Sequence, residues 1–139
     1  MILYLDTSAL VKLYVAEAGS TTVRSAVASA SQVATSRVAY PEARSALARR
    51  HREGGLDAHT LHRLVADLER DLAACVVVEV SPEIAALAGS LAELHALRGF
   101  DALHVASAVR LGALAAAPVQ FLSFDARQVD GARAAGLTV

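Results

Sequence analysis

Val76-Val77-Val78-Glu79-Val80-Ser81-Pro82-Glu83 joins a valine-rich run to a helix start. β-Branched side chains crowd a helix but fit a pleated surface, so residues 76–80 are read as the strongest strand of the chain. Serine at the N-cap, proline at the first helical position and an acid in the first turn then open a helix. Its apolar stripe is Ile84, Leu87, Leu91 and Leu94, and Arg98-Gly99 closes it. A strand that runs directly into a helix is half of a strand–helix–strand unit, and the same order recurs on either side.

Upstream, residues 2–5 form a short apolar run read as a buried strand. Thr7 or Ser8 can cap a helix over residues 9–16, which Gly19 stops. Ser20 opens a helix over 21–30, and 32–35 is a weaker strand. Pro41 either starts the next helix or lies in its first turns. Helix is clear from 42 to 52 and ends at Gly54-Gly55, which is a loop and not a domain boundary. Asp57 starts another helix, striped by Leu61, Leu64, Val65, Leu68 and Leu72. Downstream come a helix over 101–111, a strand over 119–124, a helix over 126–135 ended by Gly136, and a short strand over 137–139. Alternation of this kind predicts one α/β domain spanning residues 1–139. The expected architecture is three-layer α/β/α around a mostly parallel central sheet of about five short strands.

The chain has 139 residues, 55% of them hydrophobic, with 14 acids, 13 bases and a net charge of -1. High apolar content with balanced charge excludes a disordered chain, and the balance excludes a polybasic nucleic-acid tail. Lys12 is the only lysine, so the other cations are arginines, whose planar forks suit phosphate and carboxylate. Cys75 stands alone, so it makes no intramolecular disulfide and is expected to be a buried thiol. The N-terminus lacks a basic region and a long apolar region, and no stretch reaches the about 18 apolar residues of a membrane span. A soluble, cytoplasmic protein without membrane contact is expected.

Ligands of open parallel sheets bind beyond the carboxyl ends of the strands, where strand order reverses. Asp6 directly follows the first strand and Asp125 follows the strand ending at Phe124. If these strands are neighbours, both carboxylates face one crevice; each also suits an N-cap. Glu42 lies in an apolar segment, either as a first-turn acid complementing the helix dipole or as a functional group. Asp101 opens a largely apolar run, with His104 three residues on and on the same face. Asp6, Glu42, Asp101 and Asp125 supply only hard oxygen donors, which suit Mg²⁺ or Mn²⁺. Anions crowded in a cleft require a cation. Ser8 and Ser123 neighbour two of the acids and are candidates to hold a carboxylate or a water. Zinc is disfavoured: there is one cysteine, and His59 and His62 lack a third ligand. Arg44 and Arg49 follow Glu42 in a basic segment, and they and His104 are the candidates for contacting a phosphate backbone. Arg49, seven residues beyond Glu42, falls on roughly its face.

Four segments resemble the PIN-domain ribonucleases, most closely the VapC toxins of bacterial toxin–antitoxin pairs. They are Tyr4-Leu5-Asp6-Thr7-Ser8-Ala9-Leu10, Tyr40-Pro41-Glu42-Ala43-Arg44-Ser45-Ala46-Leu47, Asp101-Ala102-Leu103-His104-Val105-Ala106-Ser107-Ala108 and Phe121-Leu122-Ser123-Phe124-Asp125-Ala126-Arg127. Each is weak alone; in the family's order, across nearly the whole chain, they are specific. The resemblance implies Mg²⁺- or Mn²⁺-dependent RNA cleavage leaving a 5′-phosphate and a 3′-hydroxyl. It makes Asp6, Glu42 and Asp101 the core acids and Asp125 the more variable fourth. It further implies a VapB-type antitoxin whose tail blocks the cleft, and a homodimer. Pro41 directly before Glu42 departs from the pattern, and Ser123 stands where threonine is frequent. Two alternatives share the fold: a solitary RNA-processing nuclease and a non-catalytic phosphate- or RNA-binding module. A receiver-like phosphoryl-transfer domain is disfavoured, because Ser8 stands where a second acid would be needed and no lysine follows a later strand.

Overall fold

The computed structural model describes Met1–Val139. Its strands are β1 (Ile2–Leu5), β2 (Gln32–Ser36), β3 (Val76–Val78) and β4 (Val119–Leu122). Helices α1 (Thr7–Val11) and α2 (Ser20–Ser29) join β1 to β2; α3 (Ala39–Arg52) and α4 (Ala58–Ala74) join β2 to β3. Helices α5 (Pro82–His95) and α6 (Gly99–Ala115) join β3 to β4, and α7 (Ala126–Ala134) follows. The four strands form one parallel sheet in the order β3-β2-β1-β4.

All four residues of β1 are buried, as a parallel strand covered on both faces requires. Its side chains alternate between two cores. Ile2 and Tyr4 pack with Ile84, Ala88 and Leu91 of α5 and Val105 and Ala106 of α6. Leu3 and Leu5 pack with Ala9 and Leu10 of α1, Ala43 of α3 and Leu68 of α4. One four-residue strand thereby holds two helical layers onto the sheet, each buried large side chain stabilising by about 1.5–3 kcal/mol. The α/β/α layering agrees with the sequence reading.

The differences are local. The sheet has four strands, not five. Leu137 turns inward onto the α5–α6 core, so of the expected strand at 137–139 only Thr138 stays in register, as a single bridge to Gln120. The valine-rich run is an edge strand that stops at Val78: the Arg37 N–H makes the last backbone bond to it, donating to the Val78 carbonyl at 2.9 Å, and the chain beyond β2 then turns into α3. Glu79 and Val80 are exposed, Glu79 pairing with Arg37. β-Branching measured the fit to a pleat, not the number of neighbours. Helix α1 ends at Val11 rather than 16, and its cap is Asp6, not Thr7 or Ser8. Gly19 sits at φ +92°, so its left-handed backbone turns the chain into α2. Pro41 lies in the first turn of α3, where a missing N–H has no intrahelical partner to lose, and the helix begins at Ala39. The strand expected to reach 124 ends at Leu122. Cys75 is half-buried, and burial raises its thiol pKa. No helix is long and apolar enough to cross a membrane.

Candidate active site

From β1 the chain steps outward through β2 to β3, then crosses back to place β4 on the other side of β1. Strand order therefore reverses between β1 and β4, which opens a crevice beyond their carboxyl ends. Leu5 pairs with Leu122, so the next residues, Asp6 and Ser123, lie side by side. Ser123 Oγ donates to Asp6 Oδ2 at 2.8 Å. Ser8 Oγ lies 2.8 and 2.9 Å from the two Asp6 oxygens, and the Ala9 N–H donates to Oδ1 at 2.9 Å. Asp6 is thus both the cap of α1 and a 3% exposed carboxylate at the crevice floor. Burial raises its pKa, against the hydrogen bonds from Ala9, Ser123 and Ser8.

Asp125 is two residues beyond Ser123 and caps α7, its Oδ1 accepting from the Gln128 N–H at 3.1 Å. Its own N–H donates to Ser123 Oγ at 3.0 Å. The Phe124 N–H donates to Ser8 Oγ at 3.0 Å, tying the ends of β1 and β4 together. Both serines thus sit against Asp6.

Glu42 enters from the first turn of α3. Its Oε1 accepts from Thr7 Oγ1 at 2.7 Å and lies 2.9 Å from His104 Nε2; Oε2 makes no hydrogen bond. Burial works against its charge, but the His104 and Thr7 hydrogen bonds prevail and hold its carboxyl below the ordinary value. His104 in turn places Nδ1 3.0 Å from the Tyr4 hydroxyl. A ring protonated on Nε2 satisfies the set: Nε2–H donates to Glu42 and Thr7, while the Tyr4 O–H donates to Nδ1. Burial raises the Tyr4 pKa further, so the phenol keeps its proton.

Asp101 lies in the first turn of α6, with the N-cap position taken by Arg98. Arg98 Nε donates to Asp101 Oδ2 at 3.0 Å, and its Nη2 is 3.7 Å from Asp125 Oδ2. These residues and Arg127 line a crevice of about 260 Å³. The four acids are therefore strung around one end of the sheet by Thr7, Ser123 and Arg98. No three His, Cys, Asp or Glu side chains converge as metal ligands, however, so the expected four-acid cluster is not closed. The physical reason is that like charges separate, and each carboxylate has its own protein donor. The donor set still fits a hard divalent cation: it is all oxygen, Glu42 Oε2 is free of hydrogen bonds, and a guanidinium already bridges two of the acids. A shared cation requires the Arg98 pairs to open.

The remaining candidates divide. His104 is 1% exposed and cannot contact RNA; a histidine on a helix facing the sheet is walled in by Tyr4 and Thr7. Arg49 lines a groove of about 320 Å³ with Glu42, Ser45 and Arg50, as its spacing suggested. Arg44 points elsewhere, donating to the Tyr40 hydroxyl at 3.0 Å and lining the groove between α3 and α4 with Leu61 and His62. His59 and His62 are exposed. A separate cavity of about 540 Å³ lies beside β3 between Arg37, Tyr40, Glu69 and Cys75, and none of the four candidate acids lines it. Sequence reasoning missed Thr7, Tyr4, Arg98 and Gln128. Gln128, 1% exposed, lies 3.0 Å from Ser123 Oγ and donates Nε2–H to the Asp101 carbonyl at 3.2 Å. Its signal was present: Asp125 followed three residues later by Gln is a capping-box pattern.

A PIN domain family model matches residues 3–134. Ribonuclease VapC45 and Ribonuclease VapC49, from two strains of Mycobacterium tuberculosis, are each 39% identical over 138 residues, covering 99% of this chain and 94% of theirs. Among solved structures, Mycobacterium tuberculosis VapC20, described as a sarcin-ricin loop cleaving toxin, superposes with a TM-score of 0.67 at 18% identity, covering 92% of this chain and 93% of its own. FitAcB from Neisseria gonorrhoeae gives a TM-score of 0.66 at 18% identity, covering 100% of this chain and 96% of its own. At that identity these two support the fold, and the curated relatives carry the family. The order of acids, the reversal of strand order at β1 and β4, and this full-length similarity lead to one conclusion: the chain belongs to the PIN-domain family, among the VapC-like ribonucleases.

Proposed function

We propose that the protein is the endoribonuclease toxin of a toxin–antitoxin pair, acting in the cytoplasm on RNA phosphodiester bonds with Mg²⁺ or Mn²⁺. The observation that carries this reading is Asp6: a carboxylate 3% exposed at the carboxyl end of the central strand, with the other three acids ranged around it. Burying a charge there is costly unless a cation offsets it. Asp6, Glu42, Asp101 and Asp125 would hold the cation. When bound, it supplies positive charge to the scissile phosphate and acidifies water. The chain's own residues do the positioning. Ser8 and Ser123 fix both Asp6 oxygens, and Thr7 and His104 hold Glu42 ionised with Oε2 free. Arg49 shares the Glu42 groove and is placed to meet the RNA backbone.

The partner we infer is a VapB-type antitoxin whose basic tail enters the acid crevice, and the protein would function as a homodimer. The test is cleavage of total RNA by the purified chain with Mn²⁺, with and without EDTA, against Asp6→Asn. Cleavage that EDTA abolishes and that folded Asp6→Asn lacks supports the reading. Metal-independent cleavage, or full cleavage by folded Asp6→Asn, refutes it. The antitoxin is tested at the gene itself: a short reading frame directly upstream whose product binds the chain and stops cleavage supports the pairing, and the lack of one counts against it.

A further inference from the structure

We propose that Arg98 is a mobile cation of the crevice. It shares Asp101 and Asp125 with the incoming divalent metal and, displaced from them, binds the phosphate of the RNA. The inference rests on the ribonuclease reading above. Its guanidinium makes a 3.0 Å hydrogen bond to Asp101 and stands 3.7 Å from Asp125, so it occupies the mouth where those carboxylates would meet a metal. No other arginine of the chain pairs with a site acid; the remaining ion-paired arginines contact Glu17, Glu79, Asp67, Asp71, Glu83 or Asp130.

Two like-charged groups cannot both hold Asp101 without repulsion, so metal binding weakens the arginine pair. The side chain is free to leave: it is 80% exposed, and no core contact ties it down. Its backbone is fixed at the N-cap of α6, three residues before Asp101, so the freed group stays beside the reacting phosphate. A guanidinium presents a planar fork that binds phosphate through two N–H groups at once, which no lysine matches. The positive charge that neutralises the acids before metal arrives would thus neutralise substrate afterwards. The lowered dependence on a polybasic surface fits the chain's net charge of -1.

The test uses Arg98→Gln and Arg98→Lys, substitutions at an exposed position whose folding is checked by thermal unfolding. Calorimetric titration of RNA-free protein with Mn²⁺ should give about two- to fivefold tighter binding in Arg98→Gln, the scale of an exposed ion pair removed. Equal or weaker Mn²⁺ binding overturns the competition, since a merely structural arginine would support Asp101 and its loss would weaken the metal. Binding of a fluorescent oligoribonucleotide in Ca²⁺ should weaken in Arg98→Gln, with the salt slope falling by about one phosphate contact. Arg98→Lys should keep that slope. RNA binding by Arg98→Gln with wild-type affinity and slope overturns the phosphate role. A wild type that neither binds Mn²⁺ nor cuts RNA refutes the ribonuclease reading and this one with it; a wild type that does both while Arg98→Gln matches it refutes this one alone.

Discussion

Replacing His104 by alanine tests the polar link between the core and Glu42. The ring is 1% exposed and meets Tyr4, Thr7 and Glu42 at 3.0, 3.1 and 2.9 Å. Its loss leaves the buried Tyr4 hydroxyl without its histidine partner, at about 1–3 kcal/mol. The hydrogen bond to a charged carboxylate is worth about 1.5–3 kcal/mol. Glu42 is partly exposed, so water replaces some of that and the low end applies. The space left by the ring adds about 1 kcal/mol. The sum is about 3.5–5.5 kcal/mol, a large part of the about 5–15 kcal/mol that holds a domain together. Urea unfolding should register a lower midpoint with an unchanged slope. Tyr4→Phe supplies the control. Alone it strips His104 Nδ1 of a donor and costs about 1 kcal/mol; in the His104→Ala background it removes an orphaned hydroxyl and costs nothing. A His104→Ala cost under about 1 kcal/mol, or a Tyr4→Phe cost equal in both backgrounds, would refute the network.

Asp6→Asn keeps a good N-cap but removes the buried charge. Because the folded pKa of Asp6 lies above its ordinary 3.8, wild type and variant should be alike below that value in EDTA. Wild type should then lose stability relative to the variant as pH rises through the folded value; a gap that shrinks with rising pH contradicts this. Glu42→Gln should behave in the opposite sense. The wild-type advantage is present above the ordinary 4.5 and lost as pH falls through the lowered folded value, as pH-dependent melts would reveal. Ser123→Ala removes the donor to Asp6 and the acceptor for the Asp125 N–H, and should cost about 1–2 kcal/mol in chemical unfolding. Gly19→Ala forces a side chain into φ +92° and puts Cβ 2.6 Å from Phe124 Cε1. The ring is partly exposed and can swing away, so the backbone dominates at about 1–2 kcal/mol. Most of that cost should persist in a Phe124→Ala background, and full rescue there would make it steric instead.

The order of strands and helices was set by local sequence. Valine-rich runs, the Ser81-Pro82-Glu83 start and the glycine stops act through φ/ψ preferences and caps within a few residues; those elements formed in the expected order, with several ends shifted inward by a few residues. The acids were legible for the same reason, since Asp6 and Asp125 follow strands and cap the next helices. Ranking among the elements was not legible. The most strand-like run became the edge, and the modest Ile2–Leu5 became the centre, because centrality is decided by what packs on both faces. Pairings across the site were decided by the tertiary structure alone. Ser123 reaches Asp6 across 117 residues of sequence and His104 reaches Glu42 across 62. Arg98 looked like the basic end of α5, yet only the adjacency of β1 and β4 brings Asp125 to the Asp101 side of the crevice for it to bridge. Local preference specifies a residue's backbone; which polar group it meets depends on distant chain segments that only the folded packing brings together.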